Sequence, residues 1–291
     1  MPKISFKILF GFTALFLSGC TQVGIGIANI PAHFSDIKIY KDIAYGEEKW
    51  QKLDIYVPQK EKTEKLPVVV FFYGGRWTDG SKDMYAFVGK AFSDRGYIVV
   101  IADYSKYPKV RFPAFVTDGA KAVSWTYDNI ADYNGDPENL FVSGHSSGAH
   151  IGALVTVDPQ YLKAEGKNRH IIKAFAGLAG PYDFVPDAPD LEDMFGPPEN
   201  YHKMRVTTFV DGKEPPMLLL WGEKDTAVWK RNLKLLKEKI KEKKGVVETK
   251  IYPDLNHVDI IAAFTWFLKQ KSSVLDDVDA FFKKYKSEDK K

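Results

Sequence analysis

Gly144-His145-Ser146-Ser147-Gly148 sets a serine between two glycines. A serine hydroxyl is a poor nucleophile until a neighbouring base takes its proton. The pentapeptide therefore acquires a chemical meaning only with partners from elsewhere in the chain. Asp225 closes the run Met217-Leu218-Leu219-Leu220-Trp221-Gly222-Glu223-Lys224-Asp225, and His257 closes Tyr252-Pro253-Asp254-Leu255-Asn256-His257. Histidine takes and returns a proton near neutral pH. A carboxylate orients the imidazole and stabilises its charged form. Serine, aspartate and histidine follow in that order, each at the end of a strand-like apolar run, which is one of the orders in which such a triad is built. The rivals fit less well. Glu223 is the nearest alternative acid, Asp254 and Asp259 share one loop with His257, and Ser147 lies off the central motif position. His145 and His150 are assigned structural roles.

Acyl chemistry at Ser146 also needs donors for the charge that develops on the carbonyl oxygen. Tyr73-Gly74-Gly75-Arg76-Trp77 follows a long apolar run and precedes the serine motif. The backbone N–H groups of Gly74, Gly75 and Ser147 are the candidate donors. The segment 181–210, rich in Pro and Asp, falls between the serine and aspartate runs, and Trp77, Tyr182 and Phe184 are the candidate substrate-binding side chains. No H-E-x-x-H, C-x-x-C, Walker loop or G-x-G-x-x-G is present, and this chemistry needs neither a metal nor another cofactor.

The elements that must position these residues show in the hydropathy pattern. Strands are expected near 37–44 and 52–57. Nearly unbroken apolar runs at 67–73, 97–101, 140–142, 172–178, 217–221 and 246–252 suit strands buried on both faces, as in a parallel sheet. Val116, Ala120, Val123, Tyr127 and Ile130 fall on one helix face, and Asn134-Gly135-Asp136-Pro137 turns the chain into the next strand. A small-residue helix follows Ser146. Asp225 is expected to open a helix carrying Leu233, Leu236 and Ile240, with Gly245 at its end. Val258–Leu268 reads as an apolar helix after His257, and Val274, Leu275, Val278, Phe281 and Phe282 as a last packed helix before a solvated tail. Strands alternating with helices give an α/β class, a mainly parallel central sheet flanked by helices on both faces.

The N-terminus reads as an address. Lys3 and Lys7 precede an apolar run from Ile8 to Leu17, too short to span a bilayer, and then Ser18-Gly19. Residues 1–19 form a secretory signal. Cys20, the only cysteine in 291 residues, follows at once, so no intramolecular disulfide is available. Residues 20–35 are expected to be a tether and 36–291 a single domain. The formal charge of +3 includes two lysines of the leader and gives no reason to expect nucleic acid.

Leu17-Ser18-Gly19-Cys20 resembles the bacterial lipoprotein box. That implies lipidation of Cys20, a membrane partner through that anchor and a cell-envelope location, with the outer membrane favoured because Thr21 is not aspartate. The region from about Tyr40 to Leu268 resembles the α/β-hydrolase esterases related to hormone-sensitive lipase, in the branch with feruloyl-esterase-like, kynurenine-formamidase-like and isoprenylcysteine-methylesterase-like members. Leu53-Asp54-Ile55-Tyr56-Val57-Pro58, Tyr73-Gly74-Gly75-Arg76-Trp77, Tyr133-Asn134-Gly135-Asp136-Pro137, Ser146-Ser147-Gly148-Ala149-His150 and Gly180-Pro181-Tyr182-Asp183-Phe184 carry it. The resemblance implies an α/β-hydrolase fold and a serine carboxylesterase acting on small-molecule esters, with short-chain or aryl acyl groups favoured. An arylformamidase or thioesterase would use the same triad, and a surface lipoprotein could keep the fold for binding alone. Two positions depart from the pattern: Tyr73 stands where the family usually has His, and Arg76 where it often has a third Gly.

Overall fold

The computed structural model describes residues 24–32, 36–59, 64–270 and 272–287. The signal segment 1–19, Cys20 and residues 21–23 and 33–35 of the expected tether lie outside the described residues. Among the described residues, eight strands form one sheet: β1 (Ile37–Ala44), β2 (Lys52–Pro58), β3 (Leu66–Phe72), β4 (Ile98–Ala102), β5 (Gly135–His145), β6 (Ile172–Leu178), β7 (Met217–Gly222) and β8 (Val247–Tyr252). Their order is β1-β2-β4-β3-β5-β6-β7-β8. β1 and β2 pair antiparallel, as do β2 and β4, whereas β3 to β8 pair parallel. The helices are α1 (24–32), α2 (Ala86–Ser93), α3 (Ala114–Asn129), α4 (Ser147–Val157), α5 (Pro159–Ala164), α6 (Pro189–Phe195), α7 (Tyr201–Met204), α8 (Arg231–Glu242), α9 (Asp259–Ala262) and α10 (Val274–Tyr285).

The central strands are continuous apolar runs because both faces of the sheet are covered. Phe141 and Val142, adjacent on β5, point to opposite faces. Phe141 stacks on Phe282 of α10 with ring centroids 4.6 Å apart. Val142 faces α4, where a Cβ built on Gly152 would lie 3.1 Å from its Cγ1. α2 shares the α10 face through the Phe92–Phe282 contact. α3 shares the α4 face, with Gly119 against Ile151. α5 packs with α3 and α4.

The sheet order places the site. From β3 the chain crosses one way to β4 and then returns to lay β5 on the other side of β3. The crevice beyond the carboxyl ends of strands at such a reversal is where open α/β sheets bind ligands. The β3–β5 register runs to Phe72↔Gly144, so Gly74 and Ser146 leave neighbouring strands two residues later.

Several local expectations differ from what forms. β5 already begins at Gly135, and the turn before it rests on Asn134 in the left-handed region at φ 66. The apolar stretch after His257 is helical only in α9. Beyond it Phe264 and Thr265 bond back three residues, and the Thr265 hydroxyl takes the Ala262 carbonyl at 2.7 Å, which tightens the chain into turns. At the end of α8 the left-handed residue is Lys244, at φ 63. Gly245 follows it and donates to the Ile240 carbonyl at 2.9 Å, closing a Schellman motif. Inside the stretch read as a tether, α1 sits on the domain. Ala28 and Ala32 are buried. Asn29 donates to the Asp83 carbonyl at 3.1 Å and accepts from the Phe87 N–H at 2.9 Å.

Candidate active site

Ser146 sits where β5 must turn sharply into α4. Its backbone is left-handed, at φ 54 and ψ −124, a conformation costly for a residue with a Cβ and tolerated where surrounding contacts over-determine it. Here the Ser146 N–H donates to the Leu178 carbonyl at 2.9 Å, and the Ser146 carbonyl accepts from His150 N–H at 3.1 Å. The flanking glycines are required by space. A Cβ on Gly148 would meet the Phe72 carbonyl oxygen at 2.1 Å, and one on Gly144 the Gly148 oxygen at 2.5 Å. The turn therefore lifts the Ser146 hydroxyl into the crevice at the N-terminus of α4, where developing negative charge is favoured.

His257 and Asp225 reach the same point from the ends of β8 and β7. His257 Nε2 lies 2.9 Å from Ser146 Oγ, and Nδ1 lies 2.8 Å from Asp225 Oδ2. With the hydrogen on Nδ1, the imidazole donates to Asp225 and its Nε2 accepts from the serine hydroxyl. Asp225 does not open the following helix, which starts only at Arg231. Its Oδ1 accepts the N–H groups of Ala227 and Val228, both at 2.8 Å, so the side chain pins its own loop and leaves Oδ2 for His257. Burial pushes the Asp225 carboxyl up, but the bonds from His257, Val228 and Ala227 outweigh it and hold the carboxyl below its ordinary value.

His145 adds a contact that the motif did not reveal. Its Nε2 lies 2.9 Å from the backbone carbonyl of His257, and the two rings are 4.9 Å apart. Burial, with the neighbouring His257 reinforcing it, lowers the His145 pKa to about 3. The ring is therefore neutral, and its Nε2–H holds the base loop by its main chain.

The candidate oxyanion loop packs directly on the nucleophile. A Cβ on Gly74 would lie 3.1 Å from Ser146 Cβ and 2.9 Å from His145 Nδ1. Gly75 is at φ 144, where a Cβ would strike the Asp79 carbonyl at 2.1 Å. Arg76 and Trp77 follow at φ 53 and 60, so this loop sets two residues with side chains in left-handed backbone. Arg76 is tied to Asp190 by an ion pair. Tyr73 braces the loop from below. Its hydroxyl donates to Asp103 at 2.6 Å, and its ring stacks between Tyr104 and Tyr85 at 4.7 and 5.5 Å. Ser147, the third candidate donor, is the first residue of α4 and borders the same crevice.

Ser146 and His257 open into a cleft of about 1140 Å3 whose walls include Trp77, Tyr85, Phe184, Val228 and Trp229. Trp77 and Phe184 stack on one another at 5.7 Å, and Trp77 meets the ring of buried His150 edge-on at 5.2 Å. Tyr182 is not on the wall. It is 1 % exposed, and its ring fills the space that side chains at Gly177 and Gly180 would need, so it belongs to the core rather than to substrate contact. Tyr85 and Trp229 were not anticipated, because neither lies in a motif that announces chemistry.

A hydroxyl, an imidazole and a carboxylate bonded in series beside glycine N–H groups can carry nucleophilic acyl transfer. Residues 53–240 match the BD-FAE family. A probable isoprenylcysteine alpha-carbonyl methylesterase, ICMEL1 of Oryza sativa subsp. japonica, is 32% identical over 186 residues, 62% of this chain and 42% of that protein. Esterase LipQ of Mycobacterium tuberculosis is 31% identical over 207 residues, 64% of this chain and 49% of that protein. The chain thus spans less than half the length of these two curated relatives. Among solved structures, a truncated carbohydrate esterase from gut microbiota superposes with a TM-score of 0.74 at 22% identity, covering 85% of this chain and 96% of that one. Esterase B from Lactobacillus rhamnosis, inhibited by a tributyrin phosphonate, gives 0.76 at 16% identity, covering 93% and 94%. The fold is the α/β-hydrolase fold.

Proposed function

From the premise that this chain belongs to the BD-FAE family, we propose that it hydrolyses carboxylic esters through an acyl-enzyme formed on Ser146. The observation that carries this reading is the unbroken series Ser146 Oγ, His257 Nε2, His257 Nδ1 and Asp225 Oδ2, with links of 2.9 and 2.8 Å. Ser146 Oγ bonds to the ester carbonyl carbon as His257 takes its proton. The negative oxygen is received by N–H groups of Ser147, Gly74 and Gly75, and such donors contribute about 3 kcal/mol each to comparable transition states. The tetrahedral species collapses, the carbon–oxygen bond to the alcohol breaks, and His257 returns the proton to the departing alcohol. Water then repeats the sequence on the acyl-serine, and the free acid leaves.

The aromatic wall of Trp77 and Phe184 beside Ser146 favours compact acyl or aryl esters. The esterases among the relatives point the same way in reaction class. A fluorophosphonate probe tests the assignment. A single adduct on Ser146, absent from Ser146→Ala, is the expected result. A folded protein that takes up no probe and turns over no ester would instead support a hydrolase fold kept for binding.

A further inference from the structure

α1 presents an outward face unlike that of an ordinary surface helix. Its inner face, Ala28, Asn29 and Ala32, is buried against the domain. Its outer face carries Gly26, Ile27 and Ile30, with Ile27 and Ile30 45 and 48 % exposed. No Asp, Glu, Lys or Arg occurs between Ile8 and Ser35. Helices that face water normally set charged or polar residues on that side. A second apolar element joins this face from far along the chain. The turn after α9 exposes Trp266 and Phe267 by 51 and 42 %, and Trp266 Nε1 donates to the Ile27 carbonyl at 3.3 Å. Two isoleucines, a tryptophan and a phenylalanine thus meet on one exposed surface, followed in sequence by Lys269 and Gln270.

We propose that this surface, Ile27 and Ile30 of α1 with Trp266 and Phe267, lies in the headgroup boundary of a lipid bilayer and fixes the orientation of the domain on it. The proposal rests on acylation of Cys20, expected from Leu17-Ser18-Gly19-Cys20. Cys20 stands four residues before α1, a span of at most about 14 Å when fully extended. An acyl chain at Cys20 leaves α1 no room to stand far from the membrane, and the face it would bring there is the apolar one. Aromatic and aliphatic side chains bordered by lysine are the composition that settles at a membrane boundary. α1 also grips the cleft side of the domain. Asn29 Nδ2 bonds the Asp83 and Met84 carbonyls at 3.1 and 3.4 Å, and Met84 borders the cleft that holds Ser146. The bound surface therefore sets where the cleft faces as well as how the domain is held.

The test uses the full chain isolated from membranes and reconstituted into phosphatidylethanolamine–phosphatidylglycerol vesicles. Mass spectrometry first establishes the acyl groups on Cys20, which leave no native thiol free. Single cysteines are then placed by Ile30→Cys, Phe267→Cys and Lys163→Cys and labelled with a small fluorophore. Lys163 is on α5, on the opposite face of the sheet. Lipids with brominated acyl chains are expected to quench the probes at 30 and 267 severalfold more than the probe at 163. Equal quenching at all three positions would overturn the proposal, as would a Cys20 without acyl groups. Protection of 30 and 267 from aqueous iodide that depends on protein concentration and not on lipid would show a second copy covering the face, and would overturn it too.

Discussion

At the residue scale, Asp225 has two oxygens with separate tasks. Oδ1 holds its own loop through Ala227 and Val228, and Oδ2 receives the His257 ring. Asp225→Asn keeps an oxygen for the loop and places an NH2 group against the imidazole. The ring must then put its hydrogen on Nε2, where it no longer accepts the serine proton. A kcat for ester hydrolysis lowered by about 10^3–10^4, with a nearly unchanged melting temperature, is the expected outcome. Steady-state kinetics beside a circular dichroism melt measure both. A variant that loses its fold in step with its activity would assign Asp225 to loop structure alone.

At the element scale, the segment between the Gly74 loop and α2 is held by a buried cation. Lys82 Nζ reaches Asp54 Oδ1 at 3.0 Å and Asp42 Oδ1 at 2.7 Å, with the Asp54 side chain wholly inaccessible. Asp54 Oδ1 also takes the Asp42 N–H at 2.8 Å, where β1 departs from regular register. Lys82→Met removes one partner and leaves a buried carboxylate uncompensated, which costs about 3–5 kcal/mol. Urea unfolding is expected to show that loss, and Asp54→Asn made together with Lys82→Met to recover part of it. How far the sequence revealed each element depended on what fixes it. The central strands were legible because burial on both faces demands continuous apolar runs, and Ser146, Asp225 and His257 because each stands at a strand end. The turns after α9 were not, because three-residue bonds and the Thr265 hydroxyl override an apolar pattern that reads as helix. Tyr182 was misplaced because an aromatic beside the serine motif in space can face the core as readily as the cleft. The grip of His145 on the His257 carbonyl joins residues 112 apart, a contact that no local pattern encodes.

At the scale of the whole molecule, two buried histidines make stability fall with acid. Burial lowers His145 to about 3 and His150 to about 4, against 6.5 for the free side chain. Below pH 6.5 the unfolded chain binds protons that the folded chain refuses. The stability due to each neutral ring is therefore complete above about pH 6.5 and declines as pH drops toward the folded values. For His150 the full loss is on the order of 3 kcal/mol. Chemical denaturation at pH 7.5, 6 and 5 is expected to give a steadily falling midpoint, and His150→Gln a shallower slope. A slope unchanged in that variant would remove His150 as a source of the acid sensitivity.

The fold brings three strand ends to one point, and the proposed ester hydrolysis rests on Ser146 there. Its most direct measurement is turnover of p-nitrophenyl esters from acetate to dodecanoate by the wild-type chain beside Ser146→Ala. The expected result is hydrolysis of the short esters that falls by about 10^3 or more in the variant, with unchanged folding. Turnover that survives Ser146→Ala would place the chemistry elsewhere and contradict the assignment.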